Sequence, residues 1–173
     1  MRRRAGAWVG VAFWLLSLSA ATSIRARVWQ SDRALWADAA AKAPQKPRPV
    51  LNDGRAHELS GDPAYAETAY RKAIGLSFDG RRSAYVRRFT QAAGEVNLAH
   101  LRMARGEMAS AMQILDQVLE EWPAFPYAAY NKGSILWAFG YCDDAIVEFK
   151  TALAGDPTLP PPKQRCAPRS STP

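Results

Sequence analysis

The sequence predicts an all-α protein in which an N-terminal transmembrane helix precedes a solenoid of helical hairpins. Three observations support this prediction. Residues 5–24 form an uncharged and mostly apolar run. A motif of small residues then recurs three times with a spacing typical of paired antiparallel helices. In two of its copies the motif ends at a proline, which stops a helix.

The N-terminal segment, residues 1–26, is predicted to be a membrane anchor or a cleaved secretory signal. Its apolar run, residues 5–24, is long enough to cross a bilayer at roughly 1.5 Å per residue, and Trp8 and Trp29 lie where interfacial aromatic residues are expected. The leading MRRR and the small-residue stretch SAA are typical of a signal peptide. We favour the anchor, and both interpretations place the remaining chain outside the cytoplasm, either periplasmic or secreted.

A capping half-repeat, residues 27–46, is expected to follow the anchor as one amphipathic helix. It ends near Pro44, where a preceding repeat would place its closing proline. We therefore expect this helix to cover the open N-terminal end of the solenoid.

Three repeats follow, at residues 47–80, 92–125 and 126–159. In each repeat a small residue is followed by a glycine seven positions later and an alanine twelve positions later. The positions are Gly54, Gly61 and Ala66, then Ala99, Gly106 and Ala111, then Gly133, Gly140 and Ala145, with Pro157 closing the last repeat. This spacing predicts two antiparallel helices that approach each other through small residues and turn at the glycine.

Cys142 beside Asp143 and Asp144 could also suggest a reactive thiol. The repeat instead places these residues in the turn between two helices, where Asp143 or Asp144 would cap the second helix. Neither His57 nor His100 lies in this repeat to act as a base.

The motif resembles the tetratricopeptide repeat (TPR) over residues 47–159, with a period of 34 residues between Ala99 and Gly133. The resemblance implies a right-handed solenoid whose concave groove binds an extended peptide segment of another protein. Three residues depart from the family pattern, because Asp53 and Lys132 replace a leucine and Arg102 replaces a large apolar residue.

The same resemblance implies a set of groove residues. Asn52, Asn97 and Asn131 each stand two positions before the small residue of their repeat. In peptide-binding members of the family, asparagine at this place holds the backbone of the ligand, because a carboxamide both donates and accepts hydrogen bonds. Tyr127, Tyr130 and Trp137 would add apolar contacts beside it.

Two further segments complete the prediction. Residues 81–91 are an insert that extends the first helix of the second repeat, either as a solvated face or as a basic patch. Residues 160–173 are rich in proline and serine and are predicted to form a disordered tail. Because no capping helix follows the last repeat, self-association at the uncapped C-terminal end is a further possibility.

Charge and cysteine content limit the function classes. The formal net charge is +7, but residues 28–159 carry 15 basic and 16 acidic residues, so the repeats are close to neutral overall and we do not expect them to bind nucleic acid. The sequence shows no catalytic arrangement, metal-ligand spacing or phosphate loop, so we expect neither an enzyme nor a cofactor or metal site. Cys142 and Cys166 either pair, if the chain is exported, or stay as thiols.

The resulting expectation is a membrane-anchored scaffold for protein–protein interaction. An alternative comes from the junction at residues 29–54, where the apolar span is followed by Trp29, Leu35-Trp36, Lys42-Ala43-Pro44 and Asn52-Asp53-Gly54. This junction resembles that of membrane glycosyltransferase-like proteins ending in tetratricopeptide repeats. This alternative is an accessory or truncated segment that presents acceptor proteins to a glycosyltransferase on another chain.

Overall fold

A computed structural model describes residues 2–78, 83–162 and 165–167, with only the backbone described for residues 2–9. This part of the chain contains eight α-helices and a short 3₁₀ helix at Val28–Gln30. The helices are α1 (Arg2–Arg27), α2 (Asp32–Lys42), α3 (Pro47–Leu59), α4 (Pro63–Ser77), α5 (Ala84–Ala104), α6 (Met108–Glu121), α7 (Pro126–Ala138) and α8 (Cys142–Gly155).

The helices pack in sequential hairpins, which confirms the predicted all-α class. The hairpins are α3 with α4, α5 with α6 and α7 with α8, and each also packs on the helix before it. The first helices of successive hairpins, α3, α5 and α7, contact one another as well. Together they form one continuous wall of the array.

Glycine makes the turn inside each hairpin. Gly61, Gly106 and Gly140 have φ angles of 84°, 79° and 79°, in the left-handed region that disfavours a side chain. The alanine five residues after each of these glycines is fully buried. The repeat spacing therefore corresponds to a glycine with left-handed backbone conformation in the turn, followed by an alanine at which the two helices make close contact.

The core of the array contains two clusters of small, aliphatic and aromatic side chains, and Ala93 packs against both of them. Tyr70 is fully buried where α4 packs between α3 and α5, and Leu115 and Phe125 are buried between α5, α6 and α7. Phe149 packs under α7 in the last hairpin, close to Gly133. Burial of such side chains contributes about 1.5–3 kcal/mol each.

Two of the polar departures from the repeat pattern have charged partners on neighbouring helices. Arg102 of α5 donates hydrogen bonds to Glu107 at 2.7 Å and to Glu67 of α4 at 3.3 Å. Lys132 of α7 lies 2.8 Å from Asp116 of α6 and 3.2 Å from Glu148 of α8. At these two positions, ion pairs with neighbouring elements therefore take the place of the apolar packing that the repeat pattern would provide.

The segments on either side of the first repeat are helical as well. α2 packs on α3, and its first turn is capped by the hydroxyl of Ser31, which accepts from the amide of Ala34 at 3.1 Å. α5 is 21 residues long, compared with 13 for α3, and begins directly after Ser83. The start of the predicted insert, residues 81–82, lies outside the described residues.

The N-terminal helix α1 extends away from the hairpins. The guanidinium of Arg25 lies 2.7 Å from the carboxylate of Asp38 on α2, which joins the two helices. Within the described residues, no helix has both the length and the hydropathy needed to cross a membrane. The predicted span, residues 5–24, begins among residues 2–9, whose side chains lie outside the description.

Candidate functional site

The wall formed by α3, α5 and α7 contains a cavity of about 410 Å³, referred to below as the groove. All three first helices contribute to it, together with the chain that follows α8. Its lining residues are Leu51, Asn52, Arg55, Phe89, Ala93, Val96, Asn97, Tyr127, Tyr130, Asn131 and Leu159.

The three asparagines predicted from the repeat all line this groove. Asn52, Asn97 and Asn131 come from α3, α5 and α7 and are half-buried. None of their carboxamides forms a hydrogen bond with another described side chain or backbone group. The groove therefore presents three carboxamides that can each donate and accept hydrogen bonds.

Two of the three predicted aromatic residues also line the groove. The hydroxyl of Tyr127 donates to Asp156 at 3.0 Å, and this hydrogen bond, followed by burial, raises the pKa of Tyr127. The ring of Tyr130 lies 5.5 Å from that of Phe149, which anchors it to the hairpin core. Both rings are thus held in place by neighbouring residues.

Trp137 does not line the groove. It lies seven residues after Tyr130, two helical turns or about 10 Å along α7. There its ring packs edge-on against Phe149 at 5.8 Å, at the end of the hairpin where α7 turns into α8. Helical spacing placed Trp137 on the same face as Tyr130, but the groove does not extend to that end of α7.

The groove also contains residues that the sequence argument did not single out. Phe89 reaches it because the insert extends α5, and it stands eight residues before Asn97, on nearly the same face of the helix. Arg55 stands one turn after Asn52 on α3. Helical periodicity counted from the asparagines would have found both residues.

Beyond Phe89, an aromatic cluster borders the groove. The rings of Tyr85 and Phe89 lie 5.9 Å and 6.4 Å from that of Trp122. Arg88 lies 4.9 Å from the centre of the Trp122 ring in a cation–π contact. In this insert, predicted to be either a solvated face or a basic patch, Arg88 is therefore partly used in packing, while residues 81–82 lie outside the described residues.

The chain after α8 turns back along the last hairpin. Leu159 enters the groove, and Cys166 forms a disulfide with Cys142, with a Cα–Cα distance of 5.8 Å. Part of the segment predicted to be a disordered tail is thereby attached to α8. The rest of it, residues 163–164 and 168–173, lies outside the described residues.

The turn before α8 is structural in a different way from the one predicted. Cys142 is the first residue of α8, and its sulfur is in the disulfide rather than a reactive thiol. The N-cap residue is Tyr141 and no side chain caps the helix, so the prediction of an Asp143 or Asp144 cap was wrong. Both carboxylates lie in the first turn, where they still favour the positive end of the helix.

Among the described residues, no group of three or more histidine, cysteine or acidic side chains could hold a metal ion. The groove instead offers carboxamides, phenol rings and an apolar floor. Such a surface suits non-covalent binding. Neither a protein-family model nor a curated protein matches this chain.

Proposed function

We propose that this chain is a tetratricopeptide-like scaffold that binds an extended peptide segment of a partner protein in the groove. One observation carries the proposal: three equivalent asparagines, one from each first helix, line one cavity and have no hydrogen-bond partner among the described residues. Half-buried carboxamides without partners gain hydrogen bonds when a peptide backbone enters.

The residues that line the groove indicate which kind of peptide segment it would bind. Carboxamides can pair with the N–H and C=O groups of any peptide, so they hold the backbone whatever its side chains. Leu51, Val96 and Phe89 provide an apolar floor for one or two apolar side chains. Arg55 is the one charged residue among the lining residues, so the groove favours a neutral or acidic segment over a basic one.

The same proposal places the scaffold at a membrane through α1. Large apolar side chains of this helix are exposed, among them Phe13 at 74%, Trp14 at 62% and Leu16 at 70%. Exposed apolar surface of this kind marks an interaction site. A carbonate wash of isolated membranes tests the mode of attachment, because it releases peripheral proteins and retains spanning ones.

The second candidate function is the accessory segment of a membrane glycosyltransferase system. It is favoured by the resemblance at residues 29–54, and the Cys142–Cys166 disulfide is compatible with the extracytoplasmic side on which such repeats lie. Under this alternative the groove would bind acceptor proteins. Co-purification with a polytopic membrane protein would favour it over a free-standing scaffold.

The groove is tested by selecting binders from a random peptide library on the full chain. The selected peptides are then measured against a variant with Asn52→Ala, Asn97→Ala and Asn131→Ala. We expect affinity to fall by about 1 kcal/mol per lost hydrogen bond, or roughly fivefold for each. The melting temperature should hardly change, because these carboxamides have no partner within the described chain.

The matched control is Gln113→Ala, which removes an exposed carboxamide from α6, away from the groove. It should leave peptide affinity and melting temperature unchanged. The proposal fails if the triple variant binds the selected peptides as well as the unaltered chain does. It also fails if the loss of binding is accompanied by a matching loss of stability.

A further inference from the structure

A second cavity, of about 430 Å³, lies between α2, α3 and α4 and shares no lining residue with the groove. Its walls are mostly small and apolar, with three alanines of α2 (Ala37, Ala40 and Ala41) facing Ala69 of α4. Asp53 of α3 lines it as well and is only 3% exposed. An acidic side chain thus lies at the base of a largely apolar cavity.

The carboxylate of Asp53 is incompletely paired. Its Oδ2 accepts a hydrogen bond from the hydroxyl of Tyr65 at 2.7 Å, whereas its buried Oδ1 has no hydrogen-bond partner among the described residues. Nε2 of His57 lies 3.9 Å from Oδ1, which is within ion-pair distance but beyond hydrogen-bond distance. A buried charge without a hydrogen-bonded counter-charge is strongly unfavourable.

The third repeat shows how the equivalent space is filled elsewhere in the array. Lys132 occupies the position of Asp53, immediately before the small residue of its repeat. Its ammonium is paired with Asp116 and Glu148, which stand 16 residues before and 16 residues after it. The cation is therefore enclosed between the second helices of two successive hairpins.

In the first repeat the corresponding positions carry no charge. The residues 16 before and 16 after Asp53 are Ala37 and Ala69, and both line the cavity. The first repeat therefore has the negative charge of Asp53 where the third has the positive charge of Lys132. It also has the methyl groups of two alanines where the third repeat has two carboxylates. The space that holds two carboxylates in the third repeat is thus left open beside a carboxylate in the first.

From this comparison we propose that the cavity between α2, α3 and α4 binds an alkylammonium group, with Asp53 as its counter-ion. The alanine walls accommodate the alkyl stem. The hydroxyl oxygens of Tyr65 and Thr68, which also line the cavity, can accept hydrogen bonds from the ammonium. The site is independent of the groove and of the function proposed for it.

A primary ammonium suits this cavity better than a metal ion does. Divalent cations require several oxygen ligands, and no such group is found among the described residues. Lys72 lines the same cavity and carries the same kind of ammonium, so it is the natural competitor for the site. Among the described residues it forms no ion pair with Asp53, but its positive charge would repel a cationic ligand that enters the cavity.

The probe for this proposal is n-butylammonium chloride, added to the full chain while the melting temperature is measured at constant ionic strength with sodium chloride. We expect a rise of about 3 °C when the concentration reaches about tenfold the Kd that the same titration gives. 1-Butanol at the same concentration should give no rise. The lysine derivative Nα-acetyl-lysine methylamide forms a second arm.

The two arms identify the source of the ammonium. A response to both compounds assigns the site to alkylammonium groups in general, and a response to the lysine derivative alone assigns it to a lysine side chain of a partner. Asp53→Asn, which keeps an oxygen for Tyr65, should abolish the response, while Glu120→Gln on the exposed face of α6 should preserve it.

A further variant supplies the ammonium from within the chain. Ala37 is exposed, so Ala37→Lys should be accommodated and should place a cation beside Asp53, as Lys132 stands beside Asp116. We expect this variant to melt at a higher temperature and to ignore butylammonium. The proposal is overturned if neither compound raises the melting temperature, or if Asp53→Asn responds as the unaltered chain does.

Discussion

Nδ1 of His100 on α5 lies 2.6 Å from Oε1 of Glu58 on α3, and the other oxygen of this carboxylate accepts a hydrogen bond from the buried hydroxyl of Tyr70 on α4. One carboxylate therefore joins three helices of two successive hairpins. Burial opposes the ionisation of Glu58, but the hydrogen bonds from His100 and Tyr70 outweigh it and lower its pKa. The hydrogen bond to Glu58 outweighs burial at His100 and raises its pKa.

These two shifts predict how the stability depends on pH. Glu58 contributes above its ordinary pKa of 4.5, and this contribution is lost as the pH falls through the lowered value. His100 contributes below its ordinary pKa of 6.5, and this contribution is lost as the pH rises through the raised value. The pair should therefore stabilise the fold most between these two ordinary values.

His100→Gln tests this window. The variant should melt a few degrees lower than the unaltered chain near pH 5.5, because a partly exposed pair contributes at most about 1 kcal/mol. The difference should shrink as the pH rises towards 9. A difference that stays constant from pH 5 to pH 9 would show that the histidine acts through packing alone.

Close helix contact at Gly54 gives a second prediction. A Cβ at this position would lie 2.9 Å from both the Cβ of Ala69 and the ring of Tyr70, so Gly54→Ala forces the helices of the first hairpin apart. We expect a loss of about 1–3 kcal/mol in the free energy of unfolding, measured by urea titration.

The same change at Gly75 is the matched control. Gly75 lies in α4 and a Cβ there would meet nothing within 4 Å. Gly75→Ala should therefore stabilise the protein by up to about 1 kcal/mol, because alanine is the better helix former. Equal effects of the two substitutions would contradict the packing described for the first hairpin.

The hairpins were predictable because their cause is periodic. Small residues and glycines recur at a fixed spacing. In every repeat the small residues allow close contact between the helices, and the glycine gives the turn its left-handed backbone conformation. The asparagines of the groove could be placed for the same reason. Trp137 could not, because helical spacing gives the face of α7 but not how far along it the groove extends.

Features that depend on non-repeating parts of the chain were not predictable in this way. The sequence left the pairing of Cys142 with Cys166 open, because it depends on the path of the chain after α8. The cavity beside Asp53 forms because Ala37 and Ala69, which are far apart in sequence, both have small side chains. These alanines occupy the positions of Asp116 and Glu148, and that correspondence could be recognised only from the ion pairs of Lys132 in the structure.

Tyr65 provides a third prediction, since its hydroxyl makes the hydrogen bond that Oδ2 of Asp53 accepts. That hydrogen bond, together with burial, raises the pKa of Tyr65 to about 12. Tyr65→Phe would leave both oxygens of a buried carboxylate without a hydrogen bond. We expect a loss of about 1–3 kcal/mol in unfolding free energy at neutral pH, measured by urea titration.

Tyr127→Phe is the control for this substitution. Its hydroxyl also donates to a carboxylate, but Asp156 additionally accepts hydrogen bonds from Thr158 and lies near the surface. The loss there should remain below about 1 kcal/mol. If Tyr65→Phe proved as mild as Tyr127→Phe, the hydrogen bond from Tyr65 would not be needed to stabilise the buried side chain of Asp53.

The disulfide gives the last prediction, because it fixes the chain that returns along α8 and brings Leu159 to the groove. Replacing both Cys142 and Cys166 by serine removes a closed loop with a sequence separation of 24 residues. We expect the free energy of unfolding to fall by about 2–4 kcal/mol. Hydrogen exchange should increase mainly in α7 and α8, since the covalent link lies within the last hairpin.

The same variant should also change access to the groove. Without the disulfide, Leu159 is held by local contacts such as the hydrogen bond from Tyr127 to Asp156. The chain after α8 can then move away from the groove. Leu159→Ala, with the disulfide intact, separates the two effects, because it opens the groove without releasing the chain. Peptides selected on the unaltered protein should lose affinity for both variants if Leu159 contributes to the bound surface. If they instead bind the serine variant and Leu159→Ala more tightly, the returning chain covers the groove, and its release exposes the asparagines to a partner.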